Sequence, residues 1–373
     1  MSHSLEDSLA RVTAIAAAHA LAVDRDASFP THTIDALRAE GLLGLISSTD
    51  VGGLGRGMDA ALTAVDHLAR ACGSSAMVLC MHYAGTIVIE QFGPLDVRKE
   101  IAAGKHVTTL AFSEASSRSH FWAPTSTARI DGEHIVLDAH KSWITSASHA
   151  DSYVWSSKPT EGSELSSLWL APAKSQGIHV KTAGFDGLGF RGNNSCPVMA
   201  DGVKLSAAST LGGDGKGFGV MMGTVLPWFS VMNAACSLGL MESVITATAA
   251  HAGKTRFEHI NESLANLPTI RAYIARMRNT ADMTRTLVQD TVAACTAARE
   301  DAMLRVLQSK SVAAESAVAV TELAMRVCGG AAFRKELGIE RAFRDARASM
   351  VMGPTTDVLY DFIGKAVCGL PLF

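Results

Sequence analysis

The chain has 373 residues, 48% hydrophobic and 18% charged, which is enough apolar material for a large core in two or three packed units. A net charge of −3 gives no electrostatic case for binding nucleic acid or anionic membranes. The 7 Cys and 13 His lack the spacing of metal ligands, so we expect no metal site and reduced thiols in a cytoplasmic protein. No apolar run reaches the roughly 18–20 residues of a membrane span, so we expect none.

Residues 1–105 are predicted to form an N-terminal helical domain. Pro30 and Thr31 are typical of a helix start, and Gly41 follows seven residues of helical pattern as a stop. Apolar residues then recur at three- and four-residue steps between 59 and 79.

In residues 106–212 the helical periodicity gives way to short strand-like runs, and this pattern predicts a small β-domain. The runs 127–130 and 133–144 flank Asp131-Gly132, a dipeptide typical of tight hairpin turns. Residues 213–373 return to helical periodicity, with long apolar stripes over 270–288 and 303–327 that predict a bundle of antiparallel helices. The order is therefore helices, β-domain, helical bundle, an α+β organisation.

Small hydroxyl and aromatic residues follow two of the predicted strands. Phe112 and Ser113 end one strand, and Ser119 lies in the loop after it. Trp143 and Thr145 are two residues apart, so on a strand both side chains point to the same face. Such groups can contact the edge of a planar ring or a phosphate.

Together with the C-terminal stretches 328–333 and 340–357, these motifs resemble the acyl-CoA dehydrogenase family, a group of flavoproteins that includes reduced-flavin monooxygenases. The resemblance implies a helical domain, a middle β-barrel or sandwich, a C-terminal four-helix bundle, bound FAD and a homodimer or homotetramer. It also implies an acyl thioester substrate, and electron-transferring flavoprotein or a flavin reductase as partner.

The resemblance also assigns residues to the flavin. Trp143 would pack on the isoalloxazine ring, Thr145 would bond near N5, and Ser119 would lie near the pyrophosphate. The full set of implied FAD positions is Phe112, Ser113, Ser119, Trp143, Thr145, Lys254, Arg256, Phe257, Gly329, Gly330, Thr355 and Asp357. The resemblance implies that 254–257 and 329–330 reach the cofactor of a neighbouring subunit.

Four positions near the expected chemistry depart from the family pattern. Gly353 stands where a glutamate removes the α-proton of the substrate, and Phe229 stands at the alternative base position on the first bundle helix. Arg118 and His120 replace a Gly and an Asp in the loop near the acyl group, so we count Arg118, His120 and Phe229 as substrate positions.

A different base is therefore required for dehydrogenation. We predict His82 as the leading substitute, with His120 and Glu114 as lesser candidates and Asp357 as the acid nearest to Gly353 in sequence. Acyl thioester dehydrogenation remains the first hypothesis. The alternatives are a reduced-flavin monooxygenase, a non-redox lyase, and a catalytically silent flavin-binding homologue.

Overall fold

The N-terminal part of the chain is helical, as predicted. The computed structural model describes residues 4–182 and 185–372. Its first five helices are α1 (Leu5–Arg25), α2 (Thr31–Ala39), α3 (Met58–Ala71), α4 (Gly73–Phe92) and α5 (Leu95–Ala102). Gly41 follows α2 with φ +69, a left-handed conformation that glycine adopts at low cost, so the predicted stop is confirmed.

Among the described residues of the middle part, seven strands then form two packed sheets. They are β1 (Thr108–Ala111), β2 (Thr127–Asp131), β3 (His134–Ile144), β4 (Ser152–Ser157), β5 (Ser167–Pro172), β6 (Ile178–Val180) and β7 (Cys196–Ser206). One sheet has the order β1-β4-β5 and the other β2-β3-β7-β6. Leu137 and Val198 of the second sheet share one buried cluster with Tyr153, Trp155 and Trp169 of the first, so this domain is a sandwich.

The predicted hairpin between β2 and β3 is present, but its turn lies one residue later than the Asp-Gly pattern predicts. Asp131 pairs with His134, which leaves Gly132 and Glu133 as the two loop residues. Gly132 has φ +63, and a glycine at the first central position is what a type II′ turn requires.

The C-terminal part is a helical bundle. It contains α6 (Gly217–Val220), α7 (Leu226–Lys254), the short strands β8 (Arg256–Phe257) and β9 (Glu262–Ser263), α8 (Pro268–Thr296), α9 (Ala302–Cys328), α10 (Ile339–Val351) and α11 (Thr356–Val367). Helices α7, α8, α9 and α10 form the bundle, and α11 packs on α9. The predicted α+β class is therefore confirmed.

The two helical parts share one hydrophobic core, since a single buried cluster runs from α1 to α11. Helix α3 packs directly on α7. At this crossing a Cβ added to Gly239 would lie only 2.3 Å from the Asp66 carbonyl oxygen, so glycine allows the close approach. The β-domain is thus inserted between two segments that fold as one helical body.

One stretch, Gly217–Lys254, is long and apolar enough to cross a membrane by composition alone, which the sequence analysis did not anticipate. In the fold, 89% of its most apolar window is buried. The apolarity is therefore explained by the place of α7 at the centre of the bundle, with neighbours on every side.

Candidate active site

A cavity of about 1110 Å³ lies where the β-domain meets the helical body. This volume lies slightly above the range of about 300–1,000 Å³ that is usual for small-molecule and cofactor sites. Of the predicted residues it brings together Phe112, Ser113, Arg118, Ser119, Trp143, Thr145, Phe229, Gly353 and Thr355. Residues more than 200 positions apart in the chain therefore share one wall.

Trp143 forms an aromatic face of this cavity. It lies at a register shift between β3 and β7, with φ +57 and 65% of its surface exposed. A β-bulge of this kind re-aims a side chain, so the strand alternation that predicted one shared face for Trp143 and Thr145 does not operate. Both nevertheless line the cavity, and the Thr145 hydroxyl lies 3.1 Å from that of Ser195.

Gly353 opens onto the same cavity opposite the loop that carries Ser119. The Thr355 backbone N–H donates to the Ser119 hydroxyl at 2.9 Å, which joins the two loops. A Cβ added to Gly353 would lie 3.4 Å from the Ser119 carbonyl oxygen and 3.7 Å from its Cα. These are ordinary contacts, so the backbone leaves room for a side chain at position 353, where the resemblance predicts the base of the family.

Lys310 holds the segment that carries Gly353, a role that the sequence analysis missed. Its buried ammonium donates to the carbonyl oxygens of Ser349 (3.1 Å), Met352 (3.0 Å) and Pro354 (2.9 Å). Burial lowers the pKa of Lys310 to about 7. The available signal was its spacing: Lys310 falls on the apolar stripe of α9, where a charged residue requires buried partners.

Glu114 lies under the loop that leads to Ser119, paired with the buried Lys141 at 2.6 Å. Its carboxylate also accepts hydrogen bonds from Thr125 and Ser126. Burial alone would raise the pKa of Glu114, but Lys141 and the hydroxyl donors lower it to about 2. A carboxylate with this pKa and these partners is a structural anchor, and the geometry argues against Glu114 as the base.

Helix α10 fixes the cavity wall formed by residues 187–190. Asp345 accepts a hydrogen bond from the Phe190 backbone N–H at 2.6 Å, and Arg344 donates to the Leu188 carbonyl at 3.0 Å. A Cβ added to Gly189 would lie 2.6 Å from the Arg344 carbonyl oxygen. Arg344 also pairs with Asp24 at 2.6 Å, so the wall is tied to both helical segments.

His82 is not among the residues that line the cavity. It is 1% exposed. One ring nitrogen lies 3.0 Å from the Leu43 carbonyl oxygen, and the other accepts the Thr108 N–H at 3.2 Å. Burial lowers the pKa of His82 to about 4, so the ring is neutral with both nitrogens engaged. This placement argues against the predicted role of His82 as substitute base.

Several other predicted positions lie elsewhere. His120 and Asp357 line a smaller pocket beside α11, so neither faces Gly353 across the main cavity. The remaining predicted FAD positions, which the resemblance assigns to a neighbouring subunit, lie at the surface or half-buried: Lys254, Arg256, Phe257, Gly329 and Gly330. A Cβ added to either of these two glycines would meet no atom within 4 Å. Their predicted contact with a neighbour's cofactor stays a prediction.

The resemblance stated from the sequence is confirmed by comparison with known proteins. Models of the acyl-CoA dehydrogenase N-terminal, middle and C-terminal domains match residues 4–104, 109–203 and 215–368. The chain belongs to the acyl-CoA dehydrogenase family, whose members are flavoenzymes.

Similar proteins cover nearly the whole chain. The probable acyl-CoA dehydrogenase YngJ of Bacillus subtilis is 25% identical over 92% of this chain and 91% of its own length. The cyclohex-1-ene-1-carbonyl-CoA dehydrogenase of Geobacter metallireducens is also 25% identical, over 94% of this chain and 93% of its own length. The structure of butyryl-CoA dehydrogenase from Megasphaera elsdenii superimposes with a TM-score of 0.90 at 21% identity, covering 98% of each chain, which shows the shared fold.

Proposed function

We propose that this protein is an FAD-dependent oxidoreductase that dehydrogenates an acyl thioester between its α and β carbons. The observation that carries the proposal is the exposed Trp143 ring beside the hydroxyls of Thr145 and Ser195 in a cavity of about 1110 Å³. A flat aromatic face next to hydrogen-bonding groups fits the ring and polar edge of a flavin. The cavity is large enough to hold more than a flavin ring.

FAD, when bound, would supply the hydride acceptor that the chain itself lacks. Trp143 would cover one face of the ring, and Thr145 would hydrogen-bond near N5. Ser119 and Thr355 would bind the cofactor at the junction of the two loops, where the Ser119 hydroxyl already contacts Thr355. Phe112 and Ser113 would contact the ring from the end of β1.

The proton is the difficult part of this reaction. Gly353 has no side chain, and Phe229 is apolar. The two carboxylates that line the described cavity are engaged, Glu114 with Lys141 at 2.6 Å and Asp186 with Arg191 at 2.9 Å. We therefore expect slow dehydrogenation, with water or the substrate's own groups taking the α-proton.

The absence of an unengaged carboxylate among the described lining residues favours one second candidate, a reduced-flavin monooxygenase, because that reaction requires no α-proton abstraction. Under the first proposal we expect electron-transferring flavoprotein as electron acceptor, and under the second a flavin reductase as donor. In both cases we propose a cytoplasmic homodimer or homotetramer, in which 254–257 and 329–330 would complete the FAD site of a neighbour.

Anaerobic titration of the purified protein tests the proposal. We expect yellow protein with extractable FAD, and loss of the visible flavin absorbance on addition of one or more acyl-CoAs from a chain-length series. Flavin that stays oxidised with every thioester would contradict dehydrogenation. In that case, turnover while the flavin stays oxidised would indicate a lyase. Oxygen uptake by the protein with reduced flavin would indicate a monooxygenase. No turnover at all would indicate a catalytically silent homologue.

A further inference from the structure

One charged residue of the cavity wall stands apart from the others. Among the described lining residues, the other charged side chains are in ion pairs: Glu114 with Lys141 (2.6 Å), Asp186 with Arg191 (2.9 Å), Arg344 with Asp24 (2.6 Å) and Arg347 with Glu322 (3.6 Å). Arg118 lines the cavity, and its guanidinium has no ion-pair or hydrogen-bond partner within the described part of the chain. It is the one lining charge left for a ligand.

Backbone geometry keeps Arg118 close to Gly353. Ser119, the next residue, has its Cα 3.7 Å from the position of a Cβ on Gly353. Consecutive Cα atoms are about 3.8 Å apart, so the Arg118 Cα lies within about 7.5 Å of that position, a distance that the long arginine side chain can bridge. Arg118 has φ +50, a conformation that costs a non-glycine residue energy and is found disproportionately at ligand sites.

Compared with the family pattern, the charge near position 353 is therefore more positive in this chain. A glutamate at 353 would place a negative charge within reach of the guanidinium, and the glycine leaves this part of the cavity without that charge. Arginine binds carboxylates through two parallel hydrogen bonds, and such charge-assisted pairs are about twice as strong as neutral ones. Arg118 is exposed to solvent at the cavity, so the paired hydrogen bonds, more than exclusion of water, would hold the carboxylate.

We propose that Arg118 binds a carboxylate carried by the acyl group, so that the preferred substrates are monothioesters of dicarboxylic acids. This inference rests on the proposed acyl thioester function and narrows its substrate class. The diphosphate of FAD is the competing anion for the same guanidinium, and the test separates the two.

Binding of matched thioester pairs tests the inference. Dissociation constants are measured by calorimetry for succinyl-, glutaryl- and adipyl-CoA against butyryl-, valeryl- and hexanoyl-CoA, which have equal carbon counts. The FAD-loaded wild type should bind at least one dicarboxylic thioester tenfold or more tightly than its partner. Arg118→Ala should remove that preference without changing the affinity of the monocarboxylic thioesters, and Arg118→Lys should keep part of it. Arg129→Ala, on exposed strand β2, is the control and should behave as wild type.

Two results would overturn the inference. The first is equal affinity within all three pairs for the wild type. The second is an Arg118→Ala variant that loses FAD and binds both members of every pair more weakly, which would assign the guanidinium to the FAD diphosphate. Because binding is measured without turnover, a carboxylate preference in a protein whose flavin is never reduced would contradict the dehydrogenase proposal and leave the anion site standing.

Discussion

Introducing a carboxylate at position 353, where the resemblance predicts a glutamate, is the most direct perturbation of this site. A Cβ there would meet Ser119 at 3.4 Å or more, and Gly353 is not among the glycines with positive φ. The backbone therefore accepts a side chain without strain. Replacing a glycine in a conformation that other residues can adopt stabilises a fold by about 0.4–1 kcal/mol, because the unfolded chain loses freedom. The free energy of unfolding of Gly353→Glu should therefore lie within about 1 kcal/mol of the wild-type value.

The expected gain is in the chemical step. A positioned general base contributes about 100- to 10,000-fold to rate, which is about 2.7–5.4 kcal/mol of barrier at about 1.36 kcal/mol per tenfold. If the cavity otherwise suits dehydrogenation, Gly353→Glu should speed anaerobic flavin reduction by an acyl-CoA by a factor in this range. The rate should fall at low pH as the new carboxyl protonates.

Stopped-flow anaerobic reduction measures this rate. Gly353→Gln is the matched control, since it adds the same bulk without the base. A gain in the Glu variant that the Gln variant lacks assigns the effect to proton abstraction. No gain at any chain length, in a variant that folds and binds FAD, would refute the reasoning that only the base is missing.

Three further predictions follow from buried or exposed groups around the cavity. Lys310→Met should lower the free energy of unfolding by about 2–4 kcal/mol, because three carbonyl groups, two of them fully buried, lose their donor. Lys335→Met, at an exposed lysine, should change it by less than about 0.5 kcal/mol. Equal urea midpoints for the two variants would contradict this prediction. Trp143→Ala should change the free energy of unfolding by less than about 1 kcal/mol, because the ring is 65% exposed. The same variant should bind FAD at least tenfold more weakly in a fluorescence titration. Unchanged FAD affinity would rule out stacking of Trp143 on the flavin. The stability that Glu114 contributes is complete above its ordinary pKa of 4.5 and lost as the pH falls towards its folded value of about 2. Glu114→Gln should therefore cost about 3 kcal/mol at pH 7, where Lys141 loses its counter-charge, and much less at pH 2; the same cost at both pH values would show that this charge is not involved.

Short-range patterns predicted the elements well because they depend on neighbours in the chain. Three- and four-residue apolar spacing predicted the helices, and the Asp131-Gly132 pair predicted a hairpin whose turn lies one residue further on. The contacts that build the cavity are of another kind. Ser119 and Thr355 are 236 residues apart, and no local pattern states that their loops meet.

His82 shows why the candidate base could not be chosen from sequence. Every residue of α4 from 73 to 86 is buried, so its apolar pattern has no polar face from which to infer orientation. Only the packing decides that the ring lies between the Leu43 carbonyl and the Thr108 amide and away from the cavity.

The sequence by itself determined the family and the order of the three segments, because motif identity and periodicity are local properties. That Gly353 stands in place of a catalytic carboxylate stays a prediction from the same motifs. Tertiary structure alone decided which charged side chains of the cavity remain available to bind a ligand. Ion pairs such as Glu114 with Lys141 and Arg344 with Asp24 neutralise most of the cavity wall and leave Arg118. Since charges act through space and the chain brings distant residues together only on folding, their pairing is a property of the fold.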